Sequence, residues 1–363
     1  MLHKALLCFR KPNKGGYIGG IATLCNDYID KAQLFRDHGI EIDNFNYSLP
    51  SHGIYAKVRN SKIRNILYGI KQIKALRNLL KSSPETTIHI HTSRRALFYK
   101  DVILARAIRN CCKGKIVMTV HVGDINTVFG NKTAMKFLIK QIYRSVDTVV
   151  FLSEKMRQQF IDAGLENKHA EVIYNFYNIK SISPEKKLSN KTPQITFLGS
   201  INREKGIIEL LKSVLDITAD FHLNLCGTII EEDIRPDFEK LLNRLGTKAT
   251  FHGYVNKEQK EKILRETDIL VLPSYREGLP ISILEALATS CGIITTPVGA
   301  IPEILKDENA IIVKPKDSME LKRAIEQLLS DKKLLDNMRI NNYNLSRSFT
   351  DETHITKLCA LYK

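Results

Sequence analysis

Short apolar runs, each followed by a loop and then by a stretch of helical periodicity, recur along the whole chain, and few folds accommodate that rhythm. The runs fall at residues 4–9, 41–47, 87–91, 115–121, 148–152 and 171–174, and again at 194–198, 222–226, 249–251, 269–272, 292–295 and 310–313. Runs this short, bounded by turn residues, read as buried strands, and strands alternating with helices imply a parallel sheet covered on both faces. Between residues 178 and 193 the pattern lapses into Ser, Asn, Lys and Pro, and a chain of 363 residues is longer than one core ordinarily supports. The expectation is an α/β protein of two Rossmann-like, doubly wound domains facing a cleft, residues 1–178 and 179–346. Ligands of such sheets sit beyond the carboxyl ends of the strands, which directs attention to the loops after Phe9, Val120, Leu198, Phe251 and Leu272.

Charge separates the two halves. Residues 1–180 hold 29 Lys and Arg against 13 Asp and Glu, whereas the remaining residues hold 26 of each, so the whole net charge of +16 lies in the first half. No acid occurs between Asp43 and Glu85, a window that includes Lys57, Arg59, Lys62, Arg64, Lys71, Lys74, Arg77 and Lys81. Such a surface seeks an anionic partner. Nucleic acid is a poor candidate, because no binding motif or aromatic platform accompanies the charge. An anionic membrane surface is the better one. The helical stretch 61–82 sets Ile63, Ile66, Leu67, Ile70, Ile73, Leu76, Leu79 and Leu80 among these cations, either as a core stripe with a solvated basic face or as a lipid-facing surface.

No run approaches the ~18 apolar residues of a membrane span, and the first ten residues are too short in apolar content for a signal peptide. The expected location is cytoplasmic, peripheral on the inner face of the membrane. The seven cysteines lack metal-ligand spacing and read as reduced, mostly buried thiols.

Two stretches carry chemistry. After Leu198 comes Gly199-Ser-Ile-Asn-Arg-Glu-Lys-Gly206, where Arg203 and Lys205 stand at a helix N-terminus, an arrangement suited to phosphate. After the run 269–272 come Glu277 and, eight positions later, Glu285, with Pro280 opening a helix over 280–290 that ends at a left-handed Gly292. Carboxylates near a diphosphate repel it unless their task is to accept hydrogen bonds from neutral hydroxyls, such as those of ribose and sugar.

These stretches, with Phe251-His-Gly-Tyr254, Pro273-Ser-Tyr-Arg-Glu-Gly-Leu-Pro-Ile-Ser-Ile-Leu-Glu-Ala-Leu287 and Thr296-Pro-Val-Gly-Ala-Ile-Pro-Glu-Ile304, resemble the donor-binding half of the retaining glycosyltransferases of family 4, the glycosyl transferases group 1 of bacterial surface-polysaccharide type. The resemblance covers most of residues 190–330. It implies the GT-B fold, with a terminal helix at about 347–363 crossing back to the first domain. It also implies a nucleotide-sugar donor, UDP-linked, a glycan or lipid-linked acceptor, and no cofactor or metal.

Carried over by residue, the resemblance makes Glu285 the acceptor of the ribose hydroxyls and Glu277 the contact to the transferred sugar. Gly278, Leu279 and Pro280 lie beside sugar and phosphate, Arg203 and Lys205 hold the diphosphate, and Gly253 and Tyr254 complete the donor site. Gly16 and Gly19 belong to a first glycine loop near the phosphates, and His121 points toward the donor sugar. Many members have arginine directly after the glycine where Ser200 stands. A sugar-nucleotide epimerase of the same fold and a non-catalytic partner subunit are the alternatives. His89 and His91, on one side of a strand, read as polar residues of a sheet edge or cleft wall.

Overall fold

The computed structural model of the protein describes residues 2–9, 20–47, 62–93, 96–129, 132–186 and 191–363. Its strands are β1 (His3–Phe9), β2 (Ile40–Asn46), β3 (Thr87–Thr92), β4 (Ile116–Val120), β5 (Thr148–Phe151), β6 (Ala170–Val172), β7 (Gln194–Leu198), β8 (His222–Cys226), β9 (Ala249–Gly253), β10 (Ile269–Leu272), β11 (Gly292–Thr295) and β12 (Ile311–Ile312). They form two six-stranded sheets, ordered β2-β1-β3-β4-β5-β6 and β12-β11-β10-β7-β8-β9. All pairings within them are parallel. Each expected strand is present. The winding direction reverses between β1 and β3 in the first sheet and between β7 and β10 in the second, which are the switch points where such sheets open a crevice. The chain divides into two compact units, one running to Tyr174 and completed by Glu352–Lys363, the other spanning Asn175–Asp351.

In the first unit, one face of the sheet presents Leu6, Cys8, Ile88, Ile90, Ile116 and Met118 to an apolar layer containing Leu76, Leu80, Phe98 and Ile139. Alternation sends His89, His91 and Thr119 to the other face. The two histidines do not line an edge or a cleft wall: β3 is an interior strand and both rings are buried. Burial of His89 is tolerated because both of its ring nitrogens are hydrogen-bonded, whereas His91 Nε2 is buried without a partner among the described residues. His89 Nδ1 meets Tyr362 Oη at 2.6 Å and its Nε2 meets Thr119 Oγ1 at 2.7 Å. His91 Nδ1 meets His121 Nε2 at 2.9 Å. The helix Asp351–Tyr362 contributes Tyr362 and also His354, whose Nε2 meets Tyr28 Oη at 2.7 Å and whose Nδ1 meets the Tyr174 carbonyl at 2.6 Å. This terminal helix is therefore fastened by polar contacts as well as by buried Ile355 and Leu358.

Of the two readings of the helix Lys62–Ser82, the single core stripe fails. Leu76 and Leu80 are buried, but Leu67 and Ile70 are each 56% exposed and Leu79 is also open to solvent. At 3.6 residues per turn the apolar positions spread over more than half the circumference, more than one packing face can cover. Lys71, Lys74 and Arg77 are exposed beside them. Lys57 and Arg59 lie outside the described residues. Among the described residues no helix is long and apolar enough to cross a membrane.

In the second unit, the helix expected over 280–290 is Ile281–Ala288. Ser290, not Gly292, takes the left-handed conformation, at φ 54°. Its N–H donates to the Leu287 carbonyl and its hydroxyl to the Ile182 carbonyl, bonds that hold the strained backbone. Gly292 instead opens β11, where a Cβ would come within 2.4 Å of Leu335 Cδ1.

Burial, reinforced by neighbouring histidines, holds His89 and His121 neutral, with pKa values pushed down to about 3; burial lowers His354 to about 4. An unfolded chain takes up these protons near pH 6.5. The unfolded state thus binds more protons than the native state as the pH falls, and stability must fall with it. The expected slope is on the order of 1 kcal/mol per pH unit for each such histidine, between about pH 6.5 and 4. Denaturant titrations at pH 7 and pH 5 check this. Equal stability at the two values would contradict the neutral cluster.

Candidate active site at the second switch point

The loop after β7 is shaped by two glycines and one asparagine. Gly227, at φ 150°, allows the loops after β7 and β8 to touch: a Cβ there would stand 1.7 Å from the Gly199 carbonyl oxygen. Asn202 caps the short turn Arg203–Lys205 by accepting from the Lys205 N–H at 3.0 Å, and its amide donates to Ser200 Oγ at 3.0 Å. Gly206 then turns the chain into the helix Ile207–Val214 in a left-handed conformation, φ 68°, against the Pro273 carbonyl. This contact joins the loop after β7 to the loop after β10 across the reversal point, and the Tyr275 N–H donates to the Glu204 carbonyl at 2.7 Å to close it.

Lys205 and Glu277 meet at that seam. The ammonium donates to Glu277 Oε1 at 2.5 Å, and Ser274 Oγ donates to the same oxygen at 2.8 Å. Glu277 is held from the other side by the loop after β11. Gly299, at φ 59°, sits so close that a Cβ would lie 2.4 Å from the Glu277 carbonyl and 2.2 Å from that of Gly278, and the Ala300 N–H donates to the Gly278 carbonyl at 2.8 Å. The Leu279 carbonyl accepts from Asn175 Nδ2 at 2.8 Å, and Pro280 stands at the N-cap of the helix Ile281–Ala288.

Glu285 lies in the second turn of that helix, 3% exposed. A carboxylate so buried needs a cation, and it has one: Lys260 Nζ pairs with Glu285 Oε1. Sequence reasoning missed Lys260. The available signal was its position four residues before Leu264, which is fully buried, on the helix Lys257–Glu266: a lysine on the inward face of an otherwise polar helix points to a buried acid.

The other expected residues are distributed as follows. Arg203 does not share partners with Lys205. Its Nε pairs with Glu231 at 3.4 Å and its Nη2 with Asp233 at 3.3 Å, while its N–H donates to Glu231 at 2.8 Å. Gly253 ends β9 at φ 65°, its carbonyl accepting from the Gly227 N–H, and the Tyr254 side chain after it is 58% exposed. His121, in the first unit, turns Nε2 to His91 and stacks on that ring at 5.2 Å. Gly16 and Gly19 lie outside the described residues. Among the described residues no cluster of three or more His, Cys, Asp or Glu is arranged to hold a metal ion.

The sequence profile of the Glycosyl transferases group 1 matches residues 178–345, and that of Glycosyltransferase Family 4 matches residues 35–181. The chain belongs to the group 1, family 4 glycosyltransferases. This glycosyltransferase is 23% identical to an uncharacterized glycosyltransferase of Methanocaldococcus jannaschii, over 96% of its own length and 95% of the relative's. It is 25% identical to the capsular polysaccharide biosynthesis glycosyltransferase CapM of Staphylococcus aureus, over 62% of its length and 63% of the relative's. Among solved structures it resembles Anabaena HepE in complex with UDP-glucose, with a TM-score of 0.71 at 15% identity, covering 98% of each chain. Ser200 stands where the resemblance implies an arginine. That side chain is buried and bonded to Asn202, so an arginine there would have to displace the cap of the Lys205 turn.

The Gly206 contact makes a test. Gly206→Ala must strain the left-handed backbone, at about 1–3 kcal/mol, and push against the Pro273 carbonyl. Gly69→Ala, in a helix with open space around it, should instead be neutral or stabilise by roughly 0.5–1 kcal/mol. Thermal unfolding of the two variants reads the difference; equal midpoints would refute the described seam.

Proposed function

We propose that the protein transfers a hexosyl group from a UDP-linked sugar, with retention at the anomeric carbon and without a metal ion, to a glycan or lipid-linked acceptor of a cell-surface polysaccharide. The observation that carries this reading is the Lys205–Glu277 pair at the β7/β10 reversal, with Glu285 buried one helical turn further in. A capsular polysaccharide biosynthesis relative and a structural neighbour bound to UDP-glucose support the surface-polysaccharide and UDP-sugar parts of this reading.

In this reading the ribose hydroxyls donate to Glu285 and a hydroxyl of the transferred sugar donates to Glu277. Donor binding draws Lys205 toward the diphosphate, where its charge answers the negative charge that builds as the bond from C1 to the phosphate oxygen breaks. The acceptor oxygen bonds to C1 on the same face, and its proton passes to the departing phosphate oxygen. His121, neutral and engaged through Nε2, offers Nδ1 to a substrate hydroxyl. Arg203 assists only after leaving Glu231 and Asp233, which makes it secondary to Lys205. Gly278, Leu279 and Pro280 bring backbone to the sugar and phosphate, with Gly253, Tyr254, Gly16 and Gly19 as further donor contacts.

The exposed Leu67, Ile70 and Leu79 beside Lys71, Lys74 and Arg77 favour an anionic lipid surface as the resting place of the first unit. Each cation near such a surface contributes about 1 kcal/mol. Co-sedimentation should occur with phosphatidylglycerol vesicles and not with phosphatidylcholine vesicles, and should fall at least tenfold when Lys71, Lys74 and Arg77 are replaced by Gln. Equal binding to both vesicle types would remove the membrane from the account.

Thermal-shift screening tests the donor. A UDP-sugar at about 100 times its Kd should stabilise the native state by roughly 2.7 kcal/mol. Glu285→Gln keeps the shape, removes the anion, and should abolish both that shift and transfer. A wild-type protein that responds to no nucleotide sugar, or a Glu285→Gln variant with unchanged turnover, would overturn the assignment.

A further inference from the structure

The donor reading leaves unexplained how a nucleotide diphosphate settles beside two carboxylates. Lys205 answers for Glu277. For Glu285 the answer is a residue outside the expected site. Lys260 stands in the first turn of the helix Lys257–Glu266, just beyond the loop that leaves the carboxyl end of β9. Its position is fixed by the cap at Asn256, which accepts from the Gln259 N–H at 2.9 Å while Gln259 Oε1 accepts from the Asn256 N–H at 3.0 Å. Leu264, one turn on, is buried, so the face that carries Lys260 points inward, and the lysine side chain is only 18% exposed.

Resting on the reading of Glu285 as the ribose anchor, we propose that Lys260 is a positioning residue of the donor site, holding the buried Glu285 carboxylate oriented for the ribose diol. The pair divides the work. Lys260 pairs with Oε1, and in this proposal Oε2 is assigned to a ligand hydroxyl. Without the ammonium at Oε1 the carboxylate loses the contact that fixes its plane for two ribose hydroxyls. The ammonium also cancels the charge that would otherwise repel the α-phosphate. A strut between two helices would need the pair as well, but would be indifferent to the ligand's hydroxyls and to the charge on Oε2.

Titration calorimetry with UDP and 2′-deoxy-UDP, on wild type, Lys260→Met and Lys260→Arg, separates these roles. In wild type, loss of the 2′-hydroxyl should weaken binding at least tenfold. In Lys260→Met, UDP should bind at least tenfold more weakly, and the deoxy penalty should shrink below threefold. Lys260→Arg should stay within about threefold of wild type. In turnover the KM for donor should rise in Lys260→Met while kcat changes less than threefold.

A wild type without a deoxy penalty would sink the ribose reading of Glu285 itself. A normal wild-type penalty that persists unchanged in Lys260→Met, with normal UDP affinity, would overturn the role of Lys260 alone. Should Lys260→Met not fold, the wild-type protein still decides: reductive methylation of Lys260, read by mass spectrometry, should slow when UDP is bound. An equal rate with and without UDP would overturn the proposal.

Discussion

Two acids largely withdrawn from water at the switch-point edge of the second sheet are tolerable only if each is answered by a cation, and the second unit is built around that constraint. Lys205 answers Glu277 and Lys260 answers Glu285. Each pair is neutral as a whole, so it adds no net charge to that edge. Removing one partner from a pair this buried costs about 3–5 kcal/mol, because the other charge is left uncompensated. The loops that hold the pairs are locked for the same reason. Gly206, Gly227 and Gly299 permit backbone contacts that any side chain would block, and those contacts set the seam at which Lys205 and Glu277 meet.

The first unit solves a different burial problem. It places histidines inside, keeps them neutral, and uses their nitrogens to fasten the helix Asp351–Tyr362 through Tyr362 and His354. His121 sits at the rim of that network, so its tautomer is governed by His91 and, one step further in, by the same buried layer. The polarity of this half is therefore split. Its interior carries neutral imidazoles, while its described helix Lys62–Ser82 displays cations beside exposed leucine and isoleucine.

Much of this was legible in the amino-acid sequence. The twelve strands were readable because buried parallel strands must be short and apolar, and the switch-point loops follow from their order. Lys205, Glu277 and Glu285 stood out as charges in fixed relation to those loops. What stayed hidden depended on contacts between distant segments. Ser290 could take the left-handed position only because Ile182 supplies an acceptor. Arg203 is drawn to Glu231 and Asp233, some thirty positions away. Lys260 drew no notice, and Leu67 and Ile70 could be core or surface, since periodicity cannot say how wide a face the neighbouring elements cover.

The central claim, that the paired acids and lysines form a nucleotide-sugar site, is tested most directly by a crystal structure of the protein soaked with UDP. The account predicts ribose hydroxyls about 3 Å from the Glu285 carboxylate and the β-phosphate drawn to Lys205 in place of Glu277. A nucleotide bound elsewhere, with both ion pairs undisturbed, would contradict it.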